Sequence, residues 1–130
     1  MVKDLRQDIP DLIARAERSL EAANLLIKNG YFADAISRSY YAMFYAATAL
    51  LHSEGITVSK HSAVIAQVGQ HFAKTGKLEV RLHRALIDVF DERQSADYGG
   101  IVFSHEDTEL AYQAAGEFVQ AAQKYLDELG

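Results

Sequence analysis

The sequence predicts an all-α, up-and-down bundle of four long helices plus one shorter helix. Three observations carry that expectation. Alanine is abundant, and the β-branched runs that announce strands are missing. Proline occurs once, at Pro10, and the eight glycines lie mostly where elements should end. Apolar residues recur three and four positions apart instead of alternating. A chain of 130 residues, 49% hydrophobic and 24% charged, has the size and composition of one soluble domain, residues 1–130.

The first helix is expected over residues 9–28, with Asp8 as its cap and Pro10 in the first turn, where a missing N–H costs nothing. Gly30 ends it, and Leu12, Ala16, Leu20, Ala23 and Ile27 form its inward stripe. The second runs over about residues 32–54 and stops at Gly55. The third covers about residues 60–74, with Ser59 as cap and Val64, Val68 and Phe72 inward. The fourth spans about residues 78–98 and ends at Gly99–Gly100. The last starts after Ser104, whose spacing to Asp107 approximates a capping box, and runs to Leu129. Its expected inward stripe is Leu110, Ala114, Phe118, Ala121 and Tyr125. Short connections make sequential helices antiparallel neighbours. The loop GGIVF, residues 99–103, is both glycine-rich and apolar and should fold back onto the bundle.

Composition excludes several chemistries. With no cysteine there is no disulfide, thiol nucleophile or thiolate metal site, which fits a reducing cytosol. The N-terminal MVKDLRQDIPDL has no apolar targeting core, and YYAMFYAATALL is too short and too tyrosine-rich to span a bilayer. A cytoplasmic protein with no membrane partner is the expectation. A net charge of −5 argues against broad, sequence-independent nucleic-acid binding. Lys74, Lys77, Arg81 and Arg84, set against Glu79, read as a solvated helix corner or a local anion site. The five histidines (His52, His61, His71, His83, His105) are scattered and read as surface or cap residues. GQHFAKTGK lacks the glycine spacing of a phosphate loop. No metal or cofactor is expected.

Two features break the ordinary pattern. On the second helix, Ile36, Tyr40, Met43, Ala47 and Leu50 form the core stripe, yet the opposite face is not charged. It carries Asp34, Arg38, Tyr41, Tyr45, Thr48 and His52, and one flank holds Ala35, Ala42, Ala46 and Ala49. A helix apolar or aromatic nearly all round sits centrally or is covered by a second subunit. Tyrosine and arginine favour an interface, and a homodimer is the expectation. On the fourth helix, Leu82, Leu86 and Val89 form an apolar stripe whose next position is Arg93, with Asp97 one turn later. Either Arg93 and Asp97 form a structural latch, bidentate where partly buried and with Tyr41 or Tyr45 as hydrogen-bond donor, or Arg93 lines a cleft and binds phosphate.

ADAISRSYYAMFYAATALL, residues 33–51, and FDERQSADYG, residues 90–99, together resemble the HEPN domain family, in a prokaryotic subfamily with an Arg-x-x-x-Asp-Tyr motif. The resemblance covers nearly the whole chain. It implies a dimerising helical bundle and a genomic partner, a minimal nucleotidyltransferase acting as antitoxin. Many members are metal-independent ribonucleases whose motif arginine is followed, after four to six residues, by a histidine. Arg93 matches the arginine, and Tyr98 stands where the first permitted histidine would be.

Three readings follow from the residues and the resemblance. The first is a nucleotide- or RNA-associated interaction module, the HEPN half of a toxin–antitoxin-like pair, binding through Arg93, Asp97, Tyr98, Arg38, Tyr41 and Tyr45. The second is an active ribonuclease with Arg93 and Tyr98 as catalytic residues, or with a histidine brought in by folding. The third is a purely structural dimer latched by Arg93 and Asp97.

Overall fold

A short 3-10 turn, Leu5–Asp8, leads into α1, Ile9–Lys28, in the computed structural model, which describes residues 4–130. The other helices are α2, Phe32–Ser53; α3, His61–Val68; α4, Val80–Asp97; and α5, His105–Leu129. No strand occurs among the described residues. The all-α up-and-down bundle is the observed architecture.

α2 is its axis, because it packs on α1, α3, α4 and α5. α1 and α4 lie on opposite sides of α2 and α5 and do not touch each other. This centrality explains why α2 is apolar nearly all round. Ile36, Tyr40, Met43, Ala47 and Leu50 are fully buried, and so is the flank of Ala35, Ala42, Ala46 and Ala49, whose small side chains let neighbouring helices approach closely. Phe72, Leu82, Leu86, Val89 and Phe118 complete one continuous core. Gly55, at φ 74°, closes α2 by letting the Ile56 N–H return to the Leu51 carbonyl, 3.0 Å away.

Three boundaries depart from expectation. The third helix is shorter, and Lys60, not Ser59, holds its N-cap position. After Val68 the chain changes to a π-helical turn, Gly69–Ala73, in which the Lys74 N–H bonds the Gly69 carbonyl at 2.9 Å. Beside this turn the His83 imidazole of α4 reaches over, and its Nε2–H donates to the Ile65 carbonyl at 2.9 Å. A Cβ at position 69 would stand 2.7 Å from that ring, so glycine makes the contact possible. The fourth helix starts at Val80, just after the buried Leu78.

The inward stripe of α5 is also rotated by one position. Thr108, Ala111, Ala115, Phe118, Val119 and Ala122 are buried, whereas Leu110 is 60% exposed and Ala114, Ala121 and Tyr125 are half-buried. Close packing against α2 selects α5's small residues and leaves the bulkier Leu110 in the groove towards α4. The loop after α4 folds back only through Phe103; Ile101 and Val102 are 53% and 97% exposed. Ser104 caps α5 as expected, its Oγ accepting from the Asp107 N–H at 3.0 Å.

Candidate functional site

The candidate site is an aromatic and basic cluster where α2, the start of α3 and the end of α4 meet. α2 supplies Tyr40, Tyr41, Phe44 and Tyr45 within about one and a half turns; Tyr40 is buried and the other three are half-buried. Arg93 continues the stripe of Leu82, Leu86 and Val89, so the packing that buries α4 against α2 carries the guanidinium onto the tyrosines. Its Cζ lies 5.0 Å from the Tyr41 ring centre and 5.4 Å from that of Tyr40. Arg93 Nη2 donates to the Tyr41 hydroxyl at 3.0 Å. Tyr41 is thus an acceptor here, not the donor the sequence suggested, because a guanidinium can only donate.

Asp97 stands one turn on, its Oδ2 3.3 Å from Arg93 Nε. The Nε–H is not aimed along that line and has no hydrogen-bond partner. The pair is therefore held by charge through a single approach, not by a bidentate fork. Arg93 is 22% exposed at its side chain and Asp97 is 47% exposed, so the guanidinium is largely covered but not sealed. Arg38, exposed on α2, places its own guanidinium 5.2 Å from the Tyr41 ring. Tyr45 joins through ring contact with Tyr41, centroids 6.2 Å apart. Two guanidiniums, of Arg38 and Arg93, thus lie against the Tyr41 ring, and Asp97 pairs with the second.

The residue that sequence reasoning missed is His61. It is the first residue of α3, and it is neither a free surface group nor a cap. Its ring stacks on Phe44 at 4.2 Å and on Tyr40 at 5.6 Å, and its Nδ1 lies 2.8 Å from the Tyr40 hydroxyl. Burial, then the Arg93 charge, hold its pKa below the usual imidazole value. Burial likewise drives the Tyr40 phenol well above its ordinary range, opposed by Arg93 and aided by Tyr41, so Tyr40 stays protonated. No spacing rule could have found this contact. The seven residues 54–60 reach at most about 24 Å, and Phe44 lies nine residues, about 14 Å, back along α2 from its end. The connection is long enough to bring His61 back beside Phe44, and only the fold shows that it does.

Tyr98 is not part of the cluster. It occupies the C-cap of α4, is 88% exposed, and lines a shallow groove with Asp91, Gln94, Ser95, Gly100 and Ile101. Of the six proposed binding residues, the fold therefore brings together Arg93, Asp97, Arg38, Tyr41 and Tyr45 and leaves Tyr98 outside. Glu92 turns to the groove between α4 and α5, where burial, then Asp107 and Asp88, raise its pKa. The basic stretch around residue 80 is largely ion-paired: Lys77 with Glu54, Arg81 with Glu79 and Glu117, Arg84 with Asp88. Among the described residues, no group of three or more His, Cys, Asp or Glu could hold a metal ion, and no helix is long and apolar enough to cross a membrane.

Chemically, the cluster offers a guanidinium with unused donors, a neutral imidazole and a row of aromatic faces. That combination suits a phosphate with an attached base. The family described as HEPN domain matches residues 9–125. A UPF0332 protein of Gloeobacter violaceus is 41% identical over 118 residues, 89% of this chain and 94% of that protein. A UPF0332 protein of Thermotoga maritima is 38% identical, with 88% of each chain covered. A Methanocaldococcus jannaschii protein named "Putative toxin" is 35% identical over 127 residues, 98% of this chain and 95% of its own length.

Proposed function

We propose that this chain, which belongs to the HEPN domain family, is a toxin-like module that recognises phosphate esters of RNA or nucleotides and works as one half of a pair with a minimal nucleotidyltransferase. The observation that carries this reading is Arg93. A guanidinium on a core stripe is laid across two tyrosines with one hydrogen bond used and a partly open approach. An arginine needed only as a latch would be expected to close a fork on its carboxylate, and this one does not. Arg38, Tyr41 and Tyr45 extend the surface with a second cation and with ring faces on which a base can stack.

Relatives bearing the name "Putative toxin" support the toxin side of the pair. Exposed Tyr98, Ile101 and Val102 at the α4–α5 turn give a partner, or a second copy in a homodimer, apolar surface to bury. Two experiments test the reading. Fluorescence anisotropy with a short single-stranded RNA should show binding that Arg93→Ala loses. The protein should also co-elute with a nucleotidyltransferase encoded beside it; separate elution at micromolar concentration counts against the pair.

One observation favours a second reading, a metal-independent ribonuclease. Folding brings a histidine, His61, to the neighbourhood of Arg93. A role for Tyr98 in the same reaction needs a second copy to carry it to Arg93, since within one copy it stands apart. Pure protein incubated with RNA in chelator would generate 2′,3′-cyclic phosphate ends if this reading holds. Cleavage that survives Arg93→Ala would instead come from a contaminant.

A further inference from the structure

The hydroxyl of Tyr40 decides what His61 can do. Tyr40 is fully buried, and among the described residues its only hydrogen-bond partner is His61 Nδ1, at 2.8 Å. The phenol is a neutral O–H, and a buried O–H left without an acceptor is a costly arrangement. Its proton therefore points at Nδ1, which must supply a lone pair. A neutral imidazole that accepts at Nδ1 carries its proton on Nε2, on the far edge of the ring. Phe44 and Tyr40, stacked on the ring at 4.2 and 5.6 Å, restrain it from turning over.

From this we infer that His61 and Arg93 form a two-donor site for a phosphate ester, in which Tyr40 fixes His61 as the Nε2–H tautomer so that the imidazole donates a hydrogen bond to a phosphate oxygen instead of accepting a proton. The inference rests on the reading of Arg93 as a phosphate anchor and deepens it by adding a ligand from α3. It also separates the two readings above. A general base needs a free lone pair at Nε2, and this tautomer has a proton there. His61 and Tyr41 belong to the shell of Arg93, so the phosphate would bridge the end of α4 and the start of α3. Its charge offsets that of Arg93, which otherwise opposes protonation of His61. Tyr40 touches no ligand and acts as a positioning residue.

Two measurements test this. Long-range proton–nitrogen NMR of His61 should show a protonated Nε2 and a pyridine-like Nδ1 at pH 7.5; the reverse pattern overturns the inference. Tyr40→Phe removes the donor that favours the neutral ring, so the His61 pKa should rise, and an unchanged value also counts against it. For binding, the probes are a single-stranded hexauridylate, 5′-AMP and inorganic phosphate. His61→Ala should weaken hexauridylate binding about tenfold, the usual worth of a charge-assisted hydrogen bond. His61→Gln should restore most of the loss, because its amide N–H reaches about where Nε2–H stood.

Binding of hexauridylate alone supports a phosphodiester ligand, and binding of all three supports a general phosphate site. Binding of none overturns both the site and the reading beneath it. If Arg93→Ala abolishes binding while His61→Ala matches wild type, the inference falls and the Arg93 reading stands.

Discussion

Arg93 is where competing roles make different predictions. Its charge pair with Asp97 is screened by the 47% exposure of the carboxylate, and such pairs contribute only about 0–1 kcal/mol. Its hydrogen bond to Tyr41 and its ring contacts are better shielded. If Arg93 is a structural latch, Arg93→Ala should lower the melting temperature by roughly 2–4 °C, while Asp97→Asn changes it less. An unchanged melting temperature for Arg93→Ala would sink the latch and leave recognition as the reason for the arginine. His61 carries a pH signature. Its folded pKa lies below the unfolded value of about 6.5, through burial and Arg93, with Tyr40 and Tyr41 of α2 as the other titratable groups in contact with it. The unfolded chain then binds the proton first, so stability falls as pH drops below about 7 and levels off once the folded ring is protonated. His61→Gln should flatten that decline in denaturant titrations between pH 7 and 5. Glu92 has the opposite sign. Its raised pKa means the folded state disfavours the charge, so Glu92→Gln should raise the melting temperature at pH 7 by roughly 1–2 °C. The gain should vanish near pH 4, where both states are protonated.

Among the elements, two boundaries are set by single residues. Ser104 satisfies the Asp107 N–H at the start of α5, and Ser104→Ala should cost about 1 kcal/mol in chemical denaturation. At the α3 π-turn the decisive residue is Gly69. Gly69→Ala would place a methyl 2.7 Å from the His83 ring, which is itself tied to the Ile65 carbonyl. Overpacking of that kind costs roughly 1–3 kcal/mol, and a variant as stable as wild type would show that His83 can swing away freely. The serine cap was legible in the sequence because capping is local and reads three residues ahead. The close packing at Gly69 was not, since the ring against it belongs to His83 on α4, fourteen residues further along the chain. The rotation of α5 had a similar origin. Periodicity marked Leu110 and Tyr125 as inward, but the face that packs is set one position round, with Thr108, Ala111, Ala115, Phe118, Val119 and Ala122 buried.

Over the whole molecule, the doubly apolar α2 had two explanations, a central position or a second subunit. Contact with four other helices accounts for the alanine flank and the core stripe. It leaves Tyr41, Phe44 and Tyr45 half-buried beside the exposed Arg38, and a homodimer would border this remainder while leaving ring faces open to a base. Sedimentation at 10–100 µM tests that proposal; a monomer throughout this range, in wild type as in Tyr45→Asp, removes it. With a net charge of −5 and only two clustered guanidiniums at the site, RNA binding should weaken with salt by a shallow slope, about −1 to −2 on a double-logarithmic plot. A slope several-fold steeper would place the contact on another, more basic surface.

The sequence by itself determined the helical class, the number and order of the helices, the Ser104 cap and the oddity of Arg93. Each depends on residues a few positions apart, where periodicity and capping act. Tertiary structure alone decided that Tyr41 accepts from Arg93, that Asp97 makes one approach and not a fork, and that Tyr98 stands apart. It also decided that His61, twenty-one residues after Tyr40, comes to share its hydroxyl. These are contacts between helices. Their geometry follows from how whole faces pack, and no spacing within a single helix encodes it.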